Sequence, residues 1–546
     1  MESVQSIPSI PSILSTTHHP PLTTPHSPLP THHSPTINHQ PPTTVGLISL
    51  GCAKNLVDTQ VMSGVLVTEG LALAHDADHA DIVLINTCAF IASAREEACA
   101  IIAEMSAHKA RGGCRAIIVA GCLPQRYRGQ LVDPFPLVDA WIGVDELERI
   151  AEVAYLLAAE GGEGETADGR EWTRMKGGAT ASPPSRSDGA WGTGVPDHNS
   201  GTPELPNART SPAAPGGGPL VLVSDAPSAT FEPRLPTLVF CNPAFAYLKI
   251  AEGCNHACAY CAIPGIRGRL RSRTLRSLVA EARALLQDGR REINLIAQDT
   301  TSYGRDRRGA PRLAALVRAL DALPGDFWLR LLYGYPAHLD DDLLDALSES
   351  RHVVPYLDIP IQHSHPGVLR AMRRADTLAT LPDLAPRLRA RWPGVALRTT
   401  CLVGFPGETE AHFEHLIGYV EAARFDHLGV FTYSTEEGTA AAALPDPVPA
   451  AVAAARRDRL LRVQQRIAAA ANRARIGTEA RVLLQRPAPT GRNRWIARAP
   501  WQAPDVDGIT RVSGLPAAAR AGDFAAARIT GLRGVDLAAE ACGVKT

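Results

Sequence analysis

Between residues 245 and 434 a short apolar, strand-like run alternates six times with a helical pattern. The runs are AYLKIAEG, EINLIAQD, FWLRLLYG, YLDIPIQH, ALRTTCLVGF and HLGVFTYS. Strands that alternate with helices pair in parallel, and six such units in one stretch predict an incomplete barrel. Sites in such barrels lie at the carboxyl ends of the strands. The sequence therefore predicts an α/β protein whose chemistry sits at one end of this sheet.

Two further ordered segments flank the repeats. Over 45–158, the strand-like runs VGLISLGC, DIVLINTC and CRAIIVAGC alternate with helical patterns, which predicts a small parallel α/β domain. The six repeats and a helix after them form a predicted central domain over 237–475. Residues 476–546 change to short strand-like pieces separated by Gly and Pro, a composition typical of a small β-barrel.

The remaining segments have biased composition. Residues 1–44 are rich in proline and histidine and are predicted to be a disordered tail. Residues 159–236 are dominated by small residues and proline, and are interpreted as a flexible linker or insert in which LVLVSD is a candidate strand.

Several observations bear on location. No apolar run approaches the ~18 residues that span a bilayer, and we see no secretory or mitochondrial leader. The eleven cysteines are too few and too clustered for a disulfide framework in so long a chain. We therefore expect a cytoplasmic protein without a membrane partner.

Three cysteines, Cys254, Cys258 and Cys261, lie within eight residues of one another. Structural zinc normally takes four protein ligands, and no fourth ligand follows at a suitable spacing. Three thiolates favour an iron–sulfur cluster with one iron left open. The alternative is a structural metal loop that a distant residue completes. His256 lies inside the loop, but the sequence does not tell which way it points.

A second set of three cysteines is spread over the first domain. Cys52, Cys88 and Cys122 each follow a predicted strand. Parallel strands present their carboxyl ends at one edge of a sheet, so these thiols are predicted to converge on a second cluster. Any one of them alone would be read as a buried core cysteine. The core or bystander interpretation applies to the five cysteines that lack such placement, namely Cys99, Cys114, Cys241, Cys401 and Cys542.

The spacing CxxxCxxC, with the aromatic Tyr260 before the last cysteine, closely resembles the signature of the radical S-adenosylmethionine (SAM) superfamily. The resemblance implies that the amino and carboxylate groups of SAM occupy the open iron. It also implies that electron transfer cleaves SAM to a 5′-deoxyadenosyl radical, which abstracts hydrogen from an unactivated carbon.

The whole chain, outside the tail and the insert, resembles the methylthiotransferase family of that superfamily. The motifs are GCAKNLVDTQ, NTCAFI, AGCLPQRY, YLKIAEGCNHACAYCAIPGIRGRLRSR and VGFPGETE. The resemblance implies an N-terminal methylthiotransferase domain, a partial (βα)6 radical-SAM barrel and a C-terminal TRAM β-barrel. It also implies two [4Fe–4S] clusters. The cluster on Cys52, Cys88 and Cys122 would be the sulfur platform, and the one on Cys254, Cys258 and Cys261 would bind SAM.

The same resemblance implies the co-substrates and partners. One SAM would supply the methyl group and a second the radical. A low-potential electron donor of the flavodoxin or ferredoxin type and a sulfur source would be needed.

Five internal motifs resemble the branch of the family that modifies the β-carbon of an aspartate in ribosomal protein S twelve, in the context of the small ribosomal subunit. They are IAQDTTSYG, LRLLYGYP, DIPIQHSHPGVLRAMRR, FTYSTEEGTAA and QAPDVDG. Against them, residues 478–546 carry ten Lys or Arg and six Asp or Glu, a basic excess that would suit RNA. The alternatives are therefore a tRNA adenosine methylthiotransferase and, more remotely, a non-catalytic iron–sulfur RNA-binding protein. The motifs favour the protein acceptor.

Other residues are predicted to contact the cofactor. Ala297, Gln298 and Asp299 end the second strand, where the superfamily places a segment that contacts the SAM amino group. Gln362 ends the fourth strand and is expected to face the same mouth, as is the neighbouring His363. Gly404 would allow close approach of the nucleoside. Each could instead be a strand-end turn or a solvated polar residue.

Four arginines alternate after the cysteine loop. If the segment is extended, one of its faces is cationic and could contact the SAM carboxylate, an acidic partner or solvent. These residues are Arg267, Arg269, Arg271 and Arg273.

Overall fold

The computed structural model describes residues 43–159, 218–229, 238–239, 242–491 and 493–542. The predictions for residues 1–42 of the tail, for most of the 159–236 insert and for Cys241 fall outside the described residues. Within the described ranges, no helix combines the length and the apolar character needed to cross a bilayer.

The N-terminal part is a parallel sheet of six strands in the order β2-β1-β3-β4-β5-β6. Apolar residues of β3 and β4 are buried on both faces because helices cover the two sides of the sheet. The strands are β1 (Thr44–Ser49), β2 (Ala72–Leu73), β3 (Ile82–Thr87), β4 (Ala116–Gly121), β5 (Ala140–Ile142) and β6 (Leu220–Leu222). The helices are α1 (Ala53–Thr68), α2 (Ala92–Ala110), α3 (Cys122–Tyr127) and α4 (Ile150–Ala159).

The edge strand β6 comes from the far end of the insert. Leu220–Leu222 lies within the LVLVSD segment and pairs in parallel with β5, Ala140 opposite Leu220. The sequence predicted a strand here but not its sheet. The N-terminal sheet therefore extends past the predicted boundary at 158, and the exact domain limits stay predictions.

The central part is a second parallel sheet of six strands, in the order β14-β13-β12-β11-β10-β7. A hairpin-like pair, β8 and β9, follows its first strand. The strands are β7 (Phe245–Lys249), β8 (Ala251–Glu252), β9 (Arg271–Ser272), β10 (Glu292–Ile296), β11 (Trp328–Leu331), β12 (Val353–Asp358), β13 (Ala396–Val403) and β14 (His427–Thr432).

Eight helices accompany these strands, and several begin at a side chain that satisfies a free backbone N–H, as helix starts require. Thr274 caps the helix after β9, and Thr409 forms a capping box with His412. The helices are α5 (Ile263–Arg267), α6 (Leu275–Gln287), α7 (Leu313–Asp321), α8 (Asp341–Ser348), α9 (Pro366–Ala371), α10 (Leu384–Arg391), α11 (Glu410–Ala423) and α12 (Ala450–Ala474).

The C-terminal part is a closed barrel in the order β15-β16-β17-β19-β18. Its strands are β15 (Glu479–Pro487), β16 (Trp495–Arg498), β17 (Thr510–Ser513), β18 (Phe524–Arg533) and β19 (Asp536–Ala541). A partial six-stranded α/β barrel between a parallel α/β domain and a small β-barrel is the fold class that the sequence predicts, and the topology confirms it.

The three parts meet on one face of the central sheet. Tyr247, Trp328 and Tyr356 of that sheet form a buried apolar cluster with residues of α1 and of the C-terminal barrel. From α1 come Ala53, Leu56 and Val57, and from the barrel come Leu483 and Ala503. The central sheet is thus covered by its helices on one side and by the two flanking parts on the other.

A loop of the C-terminal barrel is held against the central sheet by two aspartates. The Tyr247 hydroxyl donates to Asp505 at 2.9 Å and the Tyr356 hydroxyl donates to Asp507 at 2.8 Å. His427 also lies 3.3 Å from Asp507. The QAPDVDG motif therefore joins the C-terminal barrel to the central one.

Candidate metal centres

The first cysteine triad lies at one edge of the N-terminal sheet. Cys52 precedes the first residue of α1, Cys88 directly follows β3, and Cys122 begins α3 directly after β4. The strands β1, β3 and β4 are neighbours in the sheet, so their carboxyl ends are adjacent. Burial raises the pKa of Cys88 to about 12, and the negative charges of Cys122 and Cys52 raise it further. The three cysteines therefore lie at adjacent strand ends, and their role as ligands of one cluster stays a prediction.

A glycine turn allows this approach. Gly51 has φ +96°, and a Cβ atom there would lie 2.6 Å from the Cβ of Cys88. Real Cβ atoms do not approach so closely, and the positive φ is itself unfavourable for other residues. Gly51 thus brings the start of α1 against the end of β3.

Asn55 lies beneath the triad. Its amide nitrogen donates to the carbonyls of Leu50 (3.1 Å) and Thr87 (2.8 Å) at two strand ends. Its amide oxygen lies 3.9 Å from the sulfur of Cys52 and 3.8 Å from that of Cys122. One side chain therefore ties together two of the strand ends that carry the cysteines.

The second triad lies in the loop between β8 and α5. The Cys254 amide donates to the carbonyl of Gly268 at 3.1 Å, and the Cys261 amide donates to that of Cys258 at 3.1 Å. Burial raises the pKa of Cys254 to about 11 and that of Cys261 to about 12, and the charge of Cys258 contributes to both. The charges of the loop's thiols therefore act on one another.

Arg374 and Tyr260 border this triad. The Arg374 guanidinium lies 3.8 Å from the Cys258 sulfur and 4.3 Å from the centre of the Tyr335 ring. Burial raises the pKa of Tyr260, and the charges of Cys258 and Cys261 also raise it, so this aromatic side chain adjoins two of the thiols.

His256 turns from the cysteine loop toward the end of β10. Its Nε2 lies 2.7 Å from Asp299, and its ring stacks on Tyr335 with 3.9 Å between centroids. His338 lies 3.2 Å from the same carboxylate. Burial would raise the pKa of Asp299, but hydrogen bonds from His256, His338 and two neighbouring residues outweigh it and hold the pKa far below its ordinary value.

The ligand atoms of His256, Asp299 and His338 lie within 4.8 Å of one another. The Asp299 carboxylate, however, already accepts from the Thr301 amide at 2.9 Å and from the hydroxyls of Thr301 and Ser302 at 2.5 Å. The arrangement anchors the cysteine loop to β10.

A buried charged network links the two triads. Arg267, at the end of α5, places two guanidinium nitrogens 3.3 and 3.2 Å from the Cys122 sulfur. It also pairs with Asp58 at 2.8 Å and Glu252 at 3.3 Å. Lys249 bonds to the same two carboxylates. Two cations thus face two carboxylates between the N-terminal and central parts.

The network fixes the charge of its members. Burial would raise the pKa of Glu252, but Lys249 and Arg267 outweigh it and lower the pKa well below its ordinary value. The amide of Gln298 donates to the same carboxylate at 2.6 Å. Gln298, predicted as a SAM contact, is therefore also part of the contact between the two parts.

The prediction of a cationic face on the arginine-rich segment was wrong for Arg267 and Arg273. Arg267 is helical and buried, not extended and exposed. Arg273 is buried and pairs with Glu281 at 2.6 Å. Arg271 donates to backbone carbonyls, including that of Arg269 at 2.7 Å. The reason is that two carboxylates and a cysteine at the domain contact satisfy a buried guanidinium, which arginine spacing alone does not indicate.

The remaining predicted SAM contacts, Ala297, Gln362 and Gly404, have different surroundings. Ala297 is buried and its carbonyl accepts from Lys54 at 3.3 Å. Gln362 has φ +68° and pairs through its backbone with β13. The close approach that requires Gly404 is to Ala453 of α12, since a Cβ atom at Gly404 would lie 2.5 Å from that methyl group. Their roles as SAM contacts stay predictions.

His363 lies near three other histidines. It is fully buried, and its Nδ1 accepts from the His365 amide at 2.9 Å. Burial lowers the pKa of His363 to about 3, and the charges of His365, His412 and His415 lower it further. His365 directly precedes α9, and His412 and His415 belong to α11.

Three family models match the chain: the uncharacterized protein family UPF0004 over 44–143, the radical SAM superfamily over 248–420 and the TRAM domain over 476–542. The "Ribosomal protein uS12 methylthiotransferase RimO" of Geobacter sulfurreducens is 39% identical over 91% of this chain and 98% of its own length. The protein of the same name from Opitutus terrae is 39% identical over 92% and 97%. Among solved structures, the radical SAM methyltransferase TsrM from Kitasatospora setae matches at TM-score 0.47 and 16% identity, over 71% of this chain and 72% of that one.

Proposed function

Because the chain belongs to the RimO family of ribosomal protein uS12 methylthiotransferases, we propose that it adds a methylthio group to the β-carbon of an aspartate in uS12. We propose that the acceptor is uS12 in the context of the small ribosomal subunit, and that the protein works in the cytoplasm with a low-potential electron donor and a sulfur source.

The observation that carries the proposal is the pair of cysteine triads on either side of one buried contact. Each triad offers three thiols whose charges interact, and Arg267 joins the loop of one triad to Cys122 of the other. Cysteine thiolates are the usual ligands of iron–sulfur clusters. Cys52, Cys88 and Cys122 would hold one [4Fe–4S] cluster, and Cys254, Cys258 and Cys261 the other.

The donor sets fit such groups. A basic side chain lies beside one thiol of each triad, Arg267 at Cys122 and Arg374 at Cys258, and its positive charge would stabilise a metal-bound thiolate there. When bound, the clusters and SAM supply the electron, the radical chemistry and the sulfur of the reaction.

The chain's own residues position the two centres. The Asp58–Lys249–Glu252–Arg267 network fixes α1 against the central sheet, and Asp299 fixes the cysteine loop through His256. We propose that Tyr260, Ala297, Gln298, Asp299, Gln362 and Gly404 border the SAM site. The apolar cluster around Tyr247 and Tyr356 keeps water from the far side of the sheet.

The test begins with anaerobically reconstituted protein, of which iron and sulfide are measured. Cys52→Ala and Cys254→Ala should each lose about half of the iron, because each would remove a ligand of one of two clusters. Cys401→Ala, a buried cysteine outside both triads, is the matched control and should keep all of it. Wild-type iron in both triad variants would refute the two-cluster assignment.

The acceptor is tested by mass spectrometry of uS12 and of tRNA nucleosides after reaction with SAM, reductant and sulfide. A methylthio group on uS12 supports the proposal. A methylthio group on tRNA adenosine, with uS12 unmodified, would refute it in favour of the tRNA enzyme.

A further inference from the structure

Lys54 lies between the two cysteine triads. It is the second residue of α1, two positions after Cys52. Its ammonium group donates to the Ala297 carbonyl at 3.3 Å, at the end of β10. Asp299, two residues after Ala297, bonds to His256 of the loop that carries the second triad. Lys54 therefore crosses from the first centre to the strand end beside the second.

The aromatic ring of Tyr333 supports this lysine. The Lys54 nitrogen lies 3.6 Å from the ring centroid, a cation–π contact. Tyr333 adopts φ +61°, an uncommon conformation for an aromatic residue, which persists only where the surroundings fix it. Burial raises the pKa of Tyr333, and the charge of Cys52 raises it next, so the ring also adjoins the first triad.

Among the described residues Lys54, unlike its basic neighbours, forms no close ion pair. Burial raises the pKa of Asp358, and the charge of Lys54 partly opposes that rise from a longer distance. Lys249 and Arg267 pair with Asp58 and Glu252 at this contact. Lys54 has no carboxylate oxygen within 4.0 Å among the residues that the structure describes. It is only partly buried, so a ligand can reach it. A carbonyl and a ring face leave hydrogen-bonding capacity on an ammonium group with three N–H donors.

We propose that Lys54 binds the side-chain carboxylate of the substrate aspartate. This inference rests on the proposed function, in which the reacting β-carbon is bonded directly to that carboxylate. A cation between the sulfur-bearing centre and the SAM-bearing centre would hold the β-carbon within reach of both. It would also select an acidic side chain over a neutral one.

The selectivity has a measurable size. A hydrogen bond between charged groups contributes more than one to a neutral amide, and a roughly 10- to 100-fold preference for aspartate over asparagine follows. If Lys54 were only a structural link between α1 and β10, its replacement would lower the affinity for the aspartate and asparagine forms equally. The ratio of the two affinities would then be unchanged.

The experiment measures equilibrium binding of full-length protein, loaded with both clusters, to uS12 and to a uS12 in which asparagine replaces the modified aspartate. Wild type should prefer the aspartate form by the factor above. Lys54→Gln and Lys54→Met should both lose most of the preference, and Lys54→Arg, which keeps the charge, should retain a larger part. Lys109→Gln is the control, since Lys109 lies in the same domain but pairs with Asp139.

Retention of the wild-type ratio in both neutral variants, or an equal loss in Lys109→Gln, would overturn the assignment. So would equal affinity of wild type for the two forms. The proposed function is judged separately, by the mass of uS12 after reaction with wild-type protein. If uS12 is modified but the ratio of affinities is unchanged in the variants, only the role of Lys54 is refuted. If uS12 is not modified, the proposed function is refuted.

Discussion

The guanidinium of Arg267 is buried and donates hydrogen bonds to Asp58, Glu252 and Cys122. Arg267→Ala would leave two carboxylates with Lys249 as their only cationic partner among the described residues. Breaking a buried ion pair by removal of one partner typically costs about 3–5 kcal/mol. We expect a loss of that order in the free energy of unfolding, measured with urea, and a loss of iron from the first triad.

Arg269→Ala is the matched control for this prediction. Arg269 lies two residues away and is exposed. Its replacement should change the free energy of unfolding by less than about 0.5 kcal/mol. Equal effects of the two substitutions would contradict the central place of Arg267.

His363 makes stability depend on pH. Its pKa is about 3 in the folded protein, because of burial, against an ordinary value of 6.5. The unfolded chain therefore binds a proton that the folded one excludes as pH falls below 6.5. The contribution is complete above that pH and is progressively lost toward pH 3. At about pH 5 the loss amounts to roughly 2 kcal/mol.

His363→Gln tests the dependence, because glutamine can still accept from the His365 amide but does not titrate. The drop in unfolding free energy between about pH 8 and pH 5 should be about 2 kcal/mol smaller than in wild type. His75→Gln, at an exposed site, should leave the drop essentially unchanged. An unaltered pH profile in His363→Gln would show that His363 is protonated in the folded state.

At the scale of single residues, the sequence predicts cysteines better than their surroundings. Cys254, Cys258 and Cys261 are local in sequence, and spacing alone brings them together. Cys52, Cys88 and Cys122 needed the further rule that parallel strands end at one edge. Arg267 was read incorrectly because its partners, Asp58 and Cys122, lie 209 and 145 positions away in the chain. No periodic pattern marks contacts of that range.

Among the structural elements, the turn between β1 and α1 allows little change at its glycine. Gly51→Ala would combine an unfavourable positive φ with a contact of 2.6 Å to the Cys88 Cβ. We expect a loss of about 2–5 kcal/mol in the free energy of unfolding, together with reduced iron at the first triad.

Gly112→Ala separates the cost of the positive φ from the cost of the close Cβ contact. Gly112 has φ +78°, after α2, but a Cβ atom there would meet nothing within 4 Å. It should cost only the backbone term, about 1 kcal/mol, and keep wild-type iron. If the two glycine variants lose equal amounts of iron, the close approach of Gly51 to Cys88 is not what shapes the site.

The order of strands and helices along the chain could be predicted because apolar residues recur with different periods in the two. Which strands pair with one another could not be predicted in this way. The LVLVSD strand was recognisable by composition, while its pairing with β5 depends on contacts across the insert. Gly404 was recognisable as a site of close approach, but the approaching group among the described residues is Ala453 of α12, about fifty residues further on.

Across the whole molecule, Glu292 joins the central sheet to the C-terminal barrel. It is fully buried and pairs with Arg330 at 2.7 Å and with Arg498 of β16. Arg498→Met should therefore lower the free energy of unfolding by about 3 kcal/mol and make the segment between α12 and β15 more sensitive to limited proteolysis.

Arg528→Met is the control for the domain contact. Arg528 pairs with Glu479 within the barrel, and both side chains are more than half exposed. Such a pair contributes about 1 kcal/mol or less. Similar proteolysis of the two variants would argue against a role of Arg498 in holding the barrel in place.

The basic excess of the C-terminal segment includes charged groups that pair inside the molecule and do not face solvent. A net charge counts Arg498 as if it faced solvent, yet it is buried against Glu292. Asp505 and Asp507 likewise bond to the central sheet. Charge totals could not predict this because they carry no information on which groups become internal partners.

The contact of Arg267 with Cys122 has a further consequence. Arg267 is followed by Gly268, whose carbonyl accepts from the Cys254 amide, so one short segment touches both triads. Any effect that occupancy at one triad has on the free energy of filling the other is reciprocal by thermodynamic linkage. Whatever factor the first cluster contributes to the affinity of the second, the second contributes to the first.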